Sequence, residues 1–156
     1  MTEPLNDELA TLMRSRAGTA FIVALGGEIT EASAGKVLMR LPYSRKLIGN
    51  PDTGVLHGGA ITAMLDHACG MAVGTALGVI VTDQTARNTT SYATLDLRVD
   101  YMKAARPEAD VWVAGECVKI TRQIVFARAR AYQDSADDPI ATATGTFITT
   151  ETRPGS

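Results

Sequence analysis

The sequence predicts an α+β domain in which an antiparallel β-sheet wraps around one long buried helix. Three observations carry this. The stretch from Gly58 to about Gly78 is apolar on nearly every side at helical spacing, so protein must enclose it. Beyond it, four stretches alternate apolar and polar residues with the period of a half-buried strand. Short turn clusters separate those stretches, which favours hairpins over parallel crossovers; with only one long helix, a doubly wound parallel sheet is excluded.

The elements follow in order. Asn6 or Asp7 caps a short helix running to about Arg14, with Leu9, Leu12 and Met13 as its apolar face. Thr19 to Leu25 reads as a strand that stops at Gly26-Gly27. Gly35 to Leu41 reads as a second, with Val37, Met39 and Leu41 on one side, and the two are expected to form a hairpin. Pro42 to Gly54 is a loop rich in turn formers. The buried helix comes next, then a polar loop from Thr82 to Thr90. In the following strand Ala93, Leu95, Leu97, Val99 and Tyr101 face one way, and Thr94, Asp96, Arg98 and Asp100 the other. Val111–Ile120, Gln123–Gln133 and Pro139–Thr149 complete the sheet. The organisation is therefore a helical segment over 1–18, one domain over 19–150 and a frayed tail over 151–156.

Composition narrows the function. A chain of 156 residues buries a core without disulfides or metal. Its net charge of −2 offers no excess of cations for a nucleic acid. Cys69 and Cys117 form no CxxC pair and read as small core residues of a reducing compartment. The N-terminus carries Glu3, Asp7 and Glu8 with no apolar core of a signal peptide. The longest apolar run, Met71 to Val81, is too short for a membrane span of about 20 residues. The expected setting is the cytoplasm, with no membrane partner.

Asp66 is the most informative residue. A carboxylate in the middle of an enclosed helix needs a partner or a raised pKa, and it reads either as a structural acid or as a functional one. His57-Gly58-Gly59 opens the same helix, where free N–H groups and the dipole favour a developing negative charge; a plain loop-to-helix turn is the other reading. Gly58 and Asp66 are eight residues apart, about 12 Å along the axis, too far for direct contact. His67 adjoins Asp66 but points about 100° away and reads as a satisfied core or interface histidine. His57 and His67 lack metal-ligand spacing, so no metal is expected. Thr94 falls on the strand face turned away from the helix and reads as a surface threonine. Gly70 and Gly74 suggest close packing against the helix. Lys103, Arg106, Lys119, Arg122, Arg128 and Arg130 gather near turns in the second half as solvated charges or phosphate contacts.

The stretch Gly54-Val55-Leu56-His57-Gly58-Gly59-Ala60 followed by Met64-Leu65-Asp66, with Thr94-Leu95-Asp96-Leu97-Arg98-Val99-Asp100-Tyr101-Met102 further on, resembles the hotdog-fold acyl-CoA thioesterases of the phenylacetate-pathway (PaaI-like) type. The resemblance covers roughly Gly35 to Phe147. It implies a hotdog fold whose sheets pair edge to edge, a homodimer or a dimer of dimers (a homotetramer), and a site between subunits. It implies hydrolysis of an acyl- or aryl-acyl-CoA to free acid and CoA. Carried over, Asp66 attacks the thioester or activates water, the Gly58 N–H polarises the carbonyl, and His57 holds the thioester or the loop. Thr94 would position water from the other subunit's strand. Relatives often carry an amide side chain six residues before the histidine, where this chain has Pro51; Asn50, seven before, takes that place only after a one-residue loop adjustment. Lys103, Arg106, Arg122, Arg128 and Arg130 would meet the CoA phosphates. No cofactor is implied beyond CoA as part of the substrate. A hotdog hydratase or dehydratase, which would need a differently spaced histidine, and a non-catalytic acyl-CoA-binding protein are the alternatives.

Overall fold

The computed structural model describes residues 19–78 and 90–151. The helix expected over Asn6–Arg14, the loop from Thr82 and the end of the tail lie outside the described residues. In order, the elements are α1 (Ala20–Leu25), β1 (Glu28–Ser33), β2 (Lys36–Leu41), a 3₁₀ turn (Arg45–Leu47), β3 (Ile48–Asn50), β4 (Val55–Leu56), α2 (Gly58–Ala76), β5 (Thr90–Tyr101), β6 (Val111–Ile120), β7 (Ile124–Tyr132) and β8 (Ala141–Glu151). Six strands form one sheet in the order β1-β2-β6-β7-β8-β5, every described pairing being antiparallel. β3 and β4 make a small separate pair. The sheet wraps α2, which is the hotdog arrangement.

Alternation decides which face meets the helix. Val37, Met39 and Leu41 of β2, Val111 and Val113 of β6, Val125, Ala127, Ala129 and Ala131 of β7, and Ala141, Ala143 and Phe147 of β8 are all buried. They close on Ile61, Met64, Leu65, Ala68, Cys69, Ala72 and Val73 of α2. Most of the β7 and β8 residues are alanine, which lets the helix lie low on the sheet. The approach is tightest at Gly115, where a Cβ would come within 2.5 Å of the Ala68 carbonyl oxygen.

Three expectations are corrected. Thr19–Leu25 is a cap and a helix instead of a strand. The Thr19 hydroxyl accepts from the Ile22 N–H, and Gly26, at φ 80°, closes the end with N–H bonds from Gly26 and Gly27 back to Val23 and Ile22. Six residues are too few for periodicity to separate helix from strand. The partner of β2 is accordingly β1, a mostly polar segment with a bulge between Ile29 and Glu31. Within the expected Pro42–Gly54 loop, the 3₁₀ turn and β3 form. Finally, the described residues do not enclose α2 all round: Thr62, Ala63, Asp66, His67 and Gly70, at helical spacing, form a half-buried stripe.

The tightness of the Gly115 contact can be tested. Gly115→Ala places a methyl against backbone that has no room to give, so the helix must lift from the sheet. Urea unfolding is expected to show a loss of about 1–3 kcal/mol, the usual cost of overpacking, with an unchanged m-value. Wild-type stability in that variant would mean that the contact is not tight.

Candidate active site on the exposed stripe of α2

The loop and helix around His57 are built for its ring. The His57 N–H donates to the Leu47 carbonyl at 2.7 Å, fixing the loop. Its Nδ1 accepts from the Gly59 N–H at 2.8 Å, so the imidazole caps its own helix. An accepting Nδ1 leaves the neutral ring's proton on Nε2. Two glycines make room for this. A Cβ on Gly49 would meet the His57 Cα at 2.8 Å, and one on Gly59 would meet Nδ1 at 2.8 Å. The Ala60 N–H goes to the His57 carbonyl at 3.0 Å. The Gly58 N–H has no acceptor among the described residues, which leaves a donor at the positive end of α2. On the other side of the turn, the Tyr101 hydroxyl donates to the Gly58 carbonyl at 2.6 Å and touches the Thr62 hydroxyl.

Asp66 lies two turns further along the stripe. The Thr94 hydroxyl donates to its Oδ1 at 3.1 Å. This overturns the expectation that Thr94 faces away from its own helix. The cause is a bulge in β5 between Thr94 and Asp96. Thr94 is paired with Phe147 and Asp96 with Thr146, so Leu95 is an extra residue that switches the alternation. Tyr92 and Thr94 before it share the helix side with Leu97, Val99 and Tyr101 after it. Ala93 belongs to the outer face, and Leu95 is 56% exposed. The Asp66–Thr94 pair itself stays open, since Thr94 is exposed beside a half-buried Asp66.

The neighbours of Asp66 are shaped by burial. Burial pushes the Cys69 thiol up to about 12, and the Asp66 charge adds to the rise, so this sulfur is inert. Burial lowers the His67 pKa against an opposing pull from Asp66. His67 is not a satisfied core histidine: its Nε2 is buried with no hydrogen-bond partner among the described residues. Next along the stripe, Gly70 lies over Tyr92 and Phe147, which meet edge to face at 6.3 Å. A Cβ there would make only ordinary contacts, so close packing against this chain's own sheet does not explain Gly70.

The remaining candidates are not gathered here. The bulge at Gly49 supplies a one-residue adjustment that sets Asn50 opposite Val55, but the Asn50 Oδ1 accepts from the Asp52 N–H at 2.9 Å in its own turn. Lys103 pairs with Asp138, Arg106 holds Asp134 with two bonds of 2.7 and 2.9 Å, and Arg128 pairs with Glu116. Arg130 donates to the Ala136 carbonyl. Arg128 and Arg130 occupy the outer face of β7, across the sheet from Asp66, and line a groove of about 970 Å³ there. Arg122 is exposed in the β6–β7 turn. The five cations therefore do not converge on one point. Tyr101, read from the sequence only as an apolar strand residue, is the addition. Its signal was the pair Gly58 and Thr62, one turn apart and open to a strand hydroxyl.

Residues 53–140 match the model of a family described as the thioesterase superfamily. A protein of Halobacterium salinarum is 32% identical over 146 residues, covering 89% of each chain. The medium/long-chain acyl-CoA thioesterase YigI of Escherichia coli is 29% identical over 134 residues, covering 80% of this chain and 82% of its own. A crystal structure of a Pseudomonas aeruginosa protein superposes with a TM-score of 0.71 at 38% identity, over 90% of this chain and 98% of the other. The phenylacetic acid degradation protein PaaI of Thermus thermophilus, in a mutant form, shares the fold, with a TM-score of 0.68 at 22% identity over 83% of this chain and 97% of its own.

His67 sets a pH dependence. The unfolded chain takes up its proton near the ordinary value of 6.5, while the folded chain resists protonation to lower pH. Below 6.5 the unfolded state therefore binds more protons, and stability falls as pH drops. Urea midpoints between about pH 7 and 5.5 are expected to decline in the wild type and to flatten in His67→Gln. Parallel slopes for the two would show that His67 is not the group responsible.

Proposed function

The chain belongs to the thioesterase superfamily, and on that premise we propose that it hydrolyses an acyl-CoA to the free acid and CoA, with Asp66 as the base that activates water. The observation that carries this is the Thr94–Asp66 hydrogen bond on the open stripe of α2. It holds one carboxylate oxygen in place and leaves the other free for water. Thr94's own oxygen can accept the second hydrogen of the same water, aiming a lone pair outward. The relative named as an acyl-CoA thioesterase supports a CoA thioester as the substrate.

Water attacks the thioester carbon and gives its proton to Asp66. The carbonyl oxygen becomes an oxyanion and accepts from the Gly58 N–H. The tetrahedral adduct expels the CoA thiolate, which takes the proton back from Asp66, so atoms and charge balance over the cycle. An oxyanion donor of this kind contributes about 2.7–4 kcal/mol to the transition state. Within one chain, Gly58 and Asp66 stand eight residues apart, about 12 Å along the helix. That is too far to serve one carbonyl. A second copy paired along β5 supplies the missing half in this reading: Gly58 and His57 of one copy face Asp66 and Thr94 of the other. β5 suits such pairing. It is an edge strand of 12 residues whose Leu95, Tyr101 and neighbouring Met102 are exposed.

Asp66→Asn keeps the shape and removes the base. Thiol release from a panel of acyl-CoAs is expected to show kcat lowered by about two or more orders of magnitude, with little change in KM. Near-normal turnover would make the acid structural.

Subunit mixing tests the shared site. Gly58→Pro deletes the N–H at the first helical position, which the extended His57 before it permits, and its Cβ crowds the Tyr101 ring at 3.2–3.4 Å, so this copy loses the donor and its setting together. A mixture of Asp66→Asn and Gly58→Pro copies should recover about a quarter of wild-type activity, from random pairing of a two-site dimer. A mixture of Asp66→Asn and Thr94→Ala should recover none, because those residues meet within one chain. Recovery in the second mixture alone would reverse the assignment.

A further inference from the structure

We propose that Tyr101 is a positioning residue of this site: its hydroxyl fixes the two-glycine start of α2 and so the direction of the Gly58 N–H. The inference rests on the reading of that N–H as the oxyanion donor.

Two adjacent glycines are the most mobile start a helix can have. Gly58-Gly59 is held from one side by the His57 ring and from the other by Tyr101. A carbonyl only accepts, so the 2.6 Å bond between the Tyr101 hydroxyl and the Gly58 oxygen commits the single phenolic proton. The Thr62 hydroxyl, in contact with the same oxygen of Tyr101, must then donate to it. The result is a directed chain from Thr62 to Tyr101 to Gly58. Thr62 closes it, because its own N–H bonds the Gly58 carbonyl as the first full turn of the helix.

The fit is mutual. A Cβ on residue 58 would lie 3.2 Å from the Tyr101 Oη, 3.3 Å from Cζ and 3.4 Å from Cε1, so glycine at 58 is what admits the ring. Tyr101 is 53% exposed, which makes it a poor core anchor. Phenylalanine would keep the ring beside the helix start and lose only the hydroxyl's hydrogen bonds. The oxyanion forms only once water attacks and is absent from the bound substrate, so a misdirected donor lowers kcat and spares substrate binding.

The test is Tyr101→Phe, read in two independent ways. In thiol release, kcat should fall about tenfold, a fraction of a full oxyanion donor, with KM unchanged. In backbone amide exchange, Gly59 and Ala60, whose N–H groups bond to His57, should exchange about tenfold faster as the first turn opens locally. Amides of β6 and β7 should keep their rates. Thr62→Ser, which keeps the hydroxyl, should behave as wild type in both measurements. Unchanged exchange at Gly59 and Ala60 in Tyr101→Phe overturns the proposal. So does a raised KM with unchanged kcat, which would make Tyr101 a substrate contact. A wild-type chain that hydrolyses none of the acyl-CoAs sinks the functional reading alone; the exchange rates still decide whether Tyr101 fixes the helix start.

Discussion

The fold turns on how low α2 can lie in the trough of the sheet. Its backbone reaches the strands at Gly115, and the neighbouring positions on β7 and β8 are mostly alanine. Large side chains along that floor would lift the helix by about an ångström or more, because interiors pack as tightly as crystals. Every polar contact of the candidate site is measured from that height. Thr94 meets Asp66, and Tyr101 meets Gly58, only because β5 curls over a helix already seated on β6, β7 and β8. The small residues of the floor make no contact with the site, yet they set its geometry.

The half-buried stripe on α2 separates the two electrostatic needs of thioester hydrolysis. The carboxylate stands mid-helix, where the dipole is weak, and the free N–H stands at the positive end. If both were at one end of the same helix, the acid would take the donor for itself as an N-cap. At 57, that capping role falls to the imidazole, which occupies the Gly59 N–H and leaves that of Gly58 open. The choice of histidine over Asp as the cap thus brings no negative charge to the point where the oxyanion would form.

Much of this was legible in the sequence, for reasons that also explain the failures. A long helix apolar on most sides has few possible surroundings, so α2 and the sheet around it followed from pattern alone, and Asp66 stood out on that helix as an acid in need of a partner. The short elements did not. Ala20–Leu25 is six residues of mostly apolar side chains, equally readable as either structure, and β1 is too polar to announce itself. The placement of Thr94 failed for a sharper reason. Period-two reading assumes an unbroken ladder, and one extra residue at Leu95 exchanges the faces of everything before it. Leu97, Val99 and Tyr101 came out right because they follow the bulge. The pairing of Lys103, Arg106 and Arg128 with acids from distant turns and strands was equally invisible, since local charge density does not reveal tertiary partners.

β5 carries more than one burden, and they are coupled. Among the described residues it pairs on one side only, with β8, so its twist and height are less constrained than those of the central strands. The same strand supplies the hydroxyls of Thr94 and Tyr101, at opposite ends of the stripe on α2. A sheet edge left to itself would let those hydroxyls wander, and catalytic hydrogen bonds tolerate little misplacement. Anything that covered the edge of β5 would therefore also stiffen the strand that holds the acid and the helix start. In the proposed shared site this arrangement would serve twice: a second copy would bring the missing half, and by pairing with the edge it would fix the half already present.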